Sequence, residues 1–167
     1  QLSSSVRYAC HALAIDERRG PFRPTLWDYE PGAESKLEQV WFAGVHSDIG
    51  GGYEQAGLSD IALQWMLDKA SSPQAGLALD AEVLEHRKLH PNPLQNPPHD
   101  SLSIKYKFLP RYDRPVGEAS PQSNFKGLDP TQSLHPSVRQ RWDGDRSYRP
   151  EKLRDYFRKS GDPRANQ

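Results

Sequence analysis

The chain has 167 residues, and its 22 Lys plus Arg balance its 22 Asp plus Glu, so the formal net charge is zero. A balanced charge argues against the basic footprint of a nucleic-acid-binding protein and against a polybasic membrane anchor. No run in the sequence approaches the roughly 18 apolar residues of a transmembrane helix. The first residues also lack the basic and then apolar pattern of a signal peptide, so the sequence leaves the cellular location open.

The composition predicts a core concentrated in a few segments. Only 35% of the residues are hydrophobic, and the chain has fifteen prolines and twelve glycines, which favours long loops. The single cysteine, Cys10, excludes a disulfide within the chain and is interpreted as a buried thiol. The length predicts one domain or part of a larger one, which we assign to residues 1–159, and we expect a disordered tail over residues 160–167.

The first half of the sequence alternates between predicted strand and predicted helix. Residues 6–15 form either a short helix or a strand. Residues 39–45 (QVWFAGV) are an almost continuous apolar run, which is typical of a strand covered on both faces. After three glycines, residues 58–69 carry apolar side chains at helical spacing and predict an amphipathic helix. A strand, a glycine turn and a helix in this order indicate an α/β fold.

The second half of the sequence gives weaker signals. Residues 82–89 favour a short helix, and the proline-rich residues 90–99 favour a loop. Alternating apolar and polar residues at 102–108 predict a half-exposed strand. Residues 110–133 are predicted as a long loop, and the helical spacing of apolar residues at 150–159 predicts a surface helix.

The strongest candidate site is HSDIGGGY, which spans residues 46–53 and directly follows the predicted strand. In open α/β sheets, ligands bind beyond the carboxyl ends of the strands. His46 is the candidate general base, because a histidine titrates near neutral pH. Glycines let a backbone approach a ligand closely, so Gly50, Gly51, Gly52 and Tyr53 are candidate substrate-pocket residues. The alternative is structural: the glycines only form the turn into the helix, and His46 makes local hydrogen bonds.

Two kinds of chemistry could use His46. A hydrolase needs a nucleophile, but the elbow motif G-x-S-x-G is absent from the sequence, so the nucleophile of a hydrolase would lie outside these residues. A metal site could combine His46 and Asp48, two residues apart on one strand face, with the distant His135. This metal pattern is short and common by chance, so the sequence favours a site without a metal or a cofactor.

The other histidines are interpreted as structural. His90 and His99 flank the proline-rich stretch and are interpreted as loop residues. His135 precedes Pro136, which favours a turn that starts a helix, because proline suits the first helical position.

Several motifs resemble a known family. The sequence contains VRYACHALAIDERRGPFRPTLW, VWFAGVHSDIGGGY, GLSDIALQWM and LHPSVRQRW, followed by SYRP. In this order, and over about residues 6–153, they resemble the α/β-hydrolase-like family that includes the type VI secretion system phospholipase effectors, the Tle-type lipases. The most specific element is HSDIGGGY after a W-F-x-G strand.

The resemblance implies a serine esterase or phospholipase with a Ser–Asp–His triad. The chain is then the C-terminal part of an α/β-hydrolase-like domain, with a mostly parallel sheet, flanking helices and long loops. The family histidine maps to His46, with His135 as the alternative base and Asp48 as an alternative acid. The serine and the family acid are expected in the N-terminal portion of the same domain.

The resemblance also implies partners. These are the N-terminal portion of the domain, a lipid or other ester substrate, and a secretion apparatus or an immunity protein, with no nucleic acid and no cofactor. The family's effectors are secreted without a cleavable signal. Without the N-terminal strands, a sheet edge would be exposed, so we expect the isolated chain to be poorly soluble.

Two rival functions stay open. The first is a metal-dependent oxygenase or hydrolase that uses His46, Asp48 and His135. The second is a non-catalytic interaction module with a hydrolase fold, which the lack of a nucleophile in the sequence favours.

Overall fold

A computed structural model describes residues 2–94, 97–102, 110–119 and 125–167. These residues form a three-stranded parallel sheet in the order β1-β2-β3, with strands β1 (Ala9–Ala14), β2 (Leu37–Phe42) and β3 (Gln132–Leu134). In this sheet Ala9 lies opposite Leu37, and Gln39 lies opposite Gln132. The parallel pairing and the helices around the sheet confirm the predicted α/β fold class.

The described residues also form α-helices. They are α1 (His46–Gly50), α2 (Gly57–Ala70), α3 (Ala81–Arg87), α4 (Pro136–Gly144) and α5 (Glu151–Ser160). Short 3-10 helices occupy Gly20–Phe22, Ala33–Ser35 and Pro163–Asn166. Within the described ranges, no helix combines the length and the apolar character needed to cross a bilayer.

The strongly patterned segments fold as predicted. The apolar run at 39–45 contains most of β2, and residues 6–15 contain β1, which resolves the open choice in favour of a strand. The helices predicted over 58–69, 82–89 and 150–159 are α2, α3 and α5. Most of the strand predicted over 102–108 lies outside the described residues.

Three segments differ from the prediction. His46 begins α1 and does not lie on a strand, because Gly44 turns the chain with a φ of +123° and Val45 N–H donates to the Asp48 carboxylate at 2.9 Å. Strand β3 begins inside the predicted loop over 110–133, where pairing with β2 stabilises a polar segment. The predicted disordered tail contains the 3-10 helix Pro163–Asn166, capped by Asp162.

The core has two parts, one on each face of β2. Trp41 and Ala43 pack with Trp142 of α4 and with Leu153 and Phe157 of α5. On the other face, the alternate residues Val40 and Phe42 pack against α2 through Leu58, Ile61 and Ala62. Successive side chains of a strand point to opposite faces, so a strand covered on both faces is apolar throughout. This layering confirms the interpretation of 39–45 and places the carboxyl end of β2 beside α1.

Candidate active site at the end of the central strand

The structure places His46 at the first position of α1, with an exposed side chain. Its ring centroid lies 5.0 Å from that of Phe22, and its backbone N–H donates to Glu17 at 3.2 Å. His46, Gly50, Gly51, Gly52 and Tyr53 all line a cavity of about 820 Å³. The segment predicted as a site thus borders a cavity, although no carboxylate among the described residues hydrogen-bonds the His46 ring.

A different histidine is paired with a carboxylate. Asp48 is only 3% exposed, and its Oδ1 lies 2.6 Å from Nδ1 of His99. Its Oδ2 accepts two backbone N–H groups, from Val45 at 2.9 Å and from His99 itself at 3.1 Å. A carboxylate oxygen accepts hydrogen bonds, so this contact uses Nδ1 of the ring as the donor and leaves Nε2 outside it. We call Asp48 and His99 the acid–base pair.

Tyr53 fixes the plane of the His99 ring. The two rings stack with centroids 3.6 Å apart and an interplanar angle of 16°. Tyr53 lines the cavity of about 820 Å³, and His99 lines a second cavity of about 800 Å³ together with Lys152 and Tyr148. The stacked rings therefore each border a cavity, and the imidazole is held by a carboxylate on one side and an aromatic face on another.

The sequence did not predict the contact between Asp48 and His99. The two members of the acid–base pair are 51 residues apart in sequence, and His99 lies in an irregular segment after several prolines. Periodicity carries no information about such a segment. The one available signal is the polar group His99-Asp100-Ser101, since functional side chains are often presented by loops.

Glu17 is a second buried carboxylate near the acid–base pair, with a fully buried side chain. It accepts hydrogen bonds from Arg19 Nη2 at 2.6 Å, from Ser101 Oγ at 2.8 Å and from His46 N–H at 3.2 Å. Burial by itself raises the pKa of Glu17, but these hydrogen bonds outweigh burial and lower the pKa to about 2. Glu17 is therefore ionised at neutral pH, and its hydrogen bonds connect the segments that contain Arg19, His46 and Ser101.

His135 caps a helix in this arrangement. It is the N-cap of α4, and its Nδ1 accepts from Ser137 N–H at 3.3 Å and lies 2.8 Å from Ser137 Oγ. Its ring stacks on Phe42 with centroids 4.7 Å apart, and burial lowers the pKa of His135. The helix predicted to start at Pro136 is confirmed, and the described contacts of His135 are those of a capping residue.

The ligands of the metal alternative are not grouped together in the described part of the chain. Among the residues that the structure describes, no three His, Cys, Asp or Glu side chains are grouped so that they could hold a metal ion. The physical reason is the helical conformation of α1, which leaves His46 exposed while Asp48 is buried against His99. His46, Asp48 and His135 therefore do not form the predicted ligand set.

Part of the chain matches a known protein family. Residues 1–69 match the model of the catalytic domain of Tle1-like type VI secretion system phospholipase effectors. No curated protein and no solved structure matches the chain. The matched range includes β1, β2, α1 and Asp48 but ends before His99, and it supports a hydrolase of the phospholipase effector type. Over residues 1–69 the chain is thus similar to the catalytic domain of Tle1-like type VI secretion phospholipase effectors, which confirms the resemblance predicted from its motifs.

Proposed function

We propose that this chain is part of a serine hydrolase in which Asp48 is the orienting carboxylate and His99 is the general base. The observation that carries the proposal is the 2.6 Å contact between Oδ1 of the buried Asp48 and Nδ1 of His99. In Ser–His–Asp hydrolases a buried carboxylate holds the imidazole through Nδ1, and Nε2 serves the nucleophile. His46, the base expected from the sequence, is the rival assignment.

The proposed reaction follows from this geometry. Nε2 of His99 takes the proton of a serine hydroxyl as the serine oxygen attacks the ester carbonyl, and the imidazolium then returns that proton to the leaving alcohol. The acyl group stays bound to the serine. His99 next takes a proton from water, the hydroxyl oxygen attacks the acyl carbon, and the carboxylic acid and the free serine are released. Asp48 keeps the ring oriented and stabilises its positive charge throughout.

The serine is proposed to come from outside these 167 residues, because the sequence contains no G-x-S-x-G elbow. We propose the N-terminal portion of the same domain as its source. This portion would approach the acid–base pair at the carboxyl end of β2, where α/β proteins bind their ligands.

The proposed substrate is a phospholipid or a related ester. The family match names phospholipase effectors, and the cavity of about 820 Å³ is lined by Ile49, Leu63 and Met66 as well as by the glycines at 50–52. We propose that these apolar side chains contact the acyl part of the substrate and that the glycines let the backbone approach it. The effector family also makes a secretion apparatus and an immunity protein proposed partners.

The test compares three histidine variants within the complete gene product. We expect His99→Ala to lower kcat by about 10²- to 10⁴-fold, because it removes the general base. His46→Ala is expected to change kcat far less. His86→Ala is the matched control, since His86 lies on α3 with a side chain that is 82% exposed. Hydrolysis of an acyl ester and labelling by a fluorophosphonate, which requires an activated serine, are the two measurements.

Each rival has its own outcome. If His46→Ala inactivates and His99→Ala does not, His46 is the base. If the complete, folded protein is neither labelled nor active, the interaction module is the better interpretation.

A further inference from the structure

Two cationic side chains border the second cavity with donor atoms that nothing satisfies. This cavity, of about 800 Å³, is lined by both Lys152 and Arg114. Nζ of Lys152 and Nε of Arg114 are buried, and neither atom has a hydrogen-bond partner among the described residues. Burying a charged group without a partner is costly, so unsatisfied donors of this kind call for an explanation. The proposed reaction uses neither side chain.

Arg114 borders both cavities of the molecule's candidate site. It is 4% exposed, and it lines the cavity of about 820 Å³ as well as the second cavity. Its Nη1 donates to the Ala14 carbonyl at 2.8 Å, and its Nη2 donates to the Phe22 carbonyl. These two hydrogen bonds fix the guanidinium in place, but their acceptors are neutral, and Nε is left as a further donor.

Lys152 is the second residue of α5, a helix whose N-terminus has no side-chain cap. Burial lowers the pKa of Lys152, and the charge of Asp16 opposes this shift. Asp16 does not supply the missing hydrogen bond, because its Oδ2 accepts from Gly44 N–H at 2.7 Å and from the Tyr148 hydroxyl at 2.8 Å. The partial positive charge at the start of α5 adds to the charge of Lys152. An anion beside Nζ would therefore be stabilised by both.

The acidic residues around the second cavity restrict the charge of such an anion. Some of these carboxylates are exposed, namely Asp100, Asp113 and Glu151. Exposed carboxylates near the site repel a ligand more strongly when it carries two negative charges than when it carries one. A phosphate monoester carries a charge of about −1.5 to −2 at neutral pH, whereas each phosphate of a diester carries a single negative charge. The arrangement therefore favours a phosphate diester.

We propose that the second cavity binds the phosphodiester of a phospholipid headgroup, with Nζ of Lys152 and Nε of Arg114 donating to its oxygens. The assignment of this diester to the substrate rests on the proposed function, and it is the same whether His46 or His99 is the base. Because Arg114 borders both cavities, a phosphate beside it leaves the acyl part of the lipid free to occupy the cavity of about 820 Å³.

The experiment replaces Lys152 by methionine in the complete gene product. Methionine keeps most of the apolar stem and removes the charge, and the loss of a buried charge without a partner does not destabilise a fold. Two substrates are compared, a short-chain diacylphosphatidylcholine and the matching diacylglycerol, which has the same esters but no phosphate. We expect Lys152→Met to raise KM for the phospholipid by about 10- to 100-fold with kcat little changed. Both constants for the diacylglycerol should stay unchanged.

Binding without turnover distinguishes a headgroup site from a site for free phosphate. The probes are glycerophosphocholine, which is a diester without acyl chains, and inorganic phosphate, and calorimetry gives the Kd of each. We expect the diester to bind more tightly than inorganic phosphate, and to bind Lys152→Met at least about tenfold more weakly. Lys36→Met is the matched control, because Lys36 is exposed and lines neither cavity, and it should leave KM and Kd unchanged.

The outcomes separate this site from the proposed function. If the complete protein hydrolyses neither substrate but binds the diester through Lys152, the proposed function fails and the diester site is supported. A KM for the phospholipid that is unchanged in Lys152→Met, or that rises equally for the diacylglycerol, would overturn the headgroup site. Tighter binding of inorganic phosphate than of the diester would overturn it as well. If Lys152→Met unfolds at lower urea than Lys36→Met, Lys152 has a structural role instead.

Discussion

Gly44 shows how one residue sets the geometry at the end of β2. Its φ of +123° belongs to a region that side chains other than glycine rarely adopt. A Cβ at this position would lie 2.5 Å from Cβ of Asp48. The backbone of Gly44 therefore approaches the carboxylate of the acid–base pair more closely than any other residue type allows.

Gly44→Ala is expected to lower the free energy of unfolding by about 1–3 kcal/mol, because it combines backbone strain with a clash. Gly50→Ala is the matched control in the same segment. Gly50 has no positive φ and no neighbour within 4 Å of an added Cβ, so its substitution should change stability by less than about 1 kcal/mol. Urea unfolding of both variants is the measurement, and equal midpoints would contradict the role given to Gly44.

Helix α5 shows how much of a helix can be predicted from the local sequence pattern. Leu153, Tyr156 and Phe157 are buried, and they follow one another at helical spacing. Arg158 and Lys159 lie in its last turn, where positive charge is favourable at the carboxyl end of a helix. The helix predicted over 150–159 is found at Glu151–Ser160, because the spacing indicates its buried face and the charges indicate its carboxyl end.

Leu153→Ala tests the packing of α5 on the sheet. Leu153 is 0% exposed and belongs to the core cluster of Trp41 and Trp142, so the cavity left by the substitution should cost about 2–5 kcal/mol of unfolding free energy. Arg158→Ala is the control on the exposed side of α5, where the pair with Asp155 contributes at most about 0.5 kcal/mol. Similar losses in the two variants would show that α5 does not pack as described.

At the scale of the whole molecule, Glu17 joins parts of the chain that are far apart in sequence. Arg19, His46 and Ser101 donate to it, and the buried Arg114 interacts with its charge. Because the folded state prefers the ionised carboxylate, the stability of the molecule is linked to the protonation of this group.

The linkage predicts a specific pH dependence. The pKa of Glu17 is about 2 in the folded state and about 4.5 ordinarily, so its stabilisation is complete above pH 4.5 and is lost as the pH falls toward 2. Glu17→Gln should be less stable than the natural chain at neutral pH, and this difference should shrink over that range. The measurement is the free energy of unfolding between pH 7 and pH 2. A constant difference across the range would contradict the lowered pKa.

Part of the site could be predicted from the sequence. HSDIGGGY directly after an apolar strand indicates a site at the end of β2, and the structure places a cavity there. The contact between Asp48 and His99 could not be predicted, because His99 lies in an irregular segment 51 residues from Asp48. Asp48 faces His99 because α1 begins at His46, whereas a strand over these residues would have placed His46 and Asp48 on the same face.

The sequence by itself determined the elements whose apolar residues recur at a regular spacing, namely β2, α2 and α5. It also determined the family resemblance. These elements are predicted from local periodicity, because periodicity indicates which face of an element is covered. Only the tertiary structure decided that β3 pairs with β2, that Asp48 meets His99, and that Glu17 lies between their segments. These contacts join residues tens of positions apart through irregular segments, where the path of the chain is set by the packing of the whole molecule.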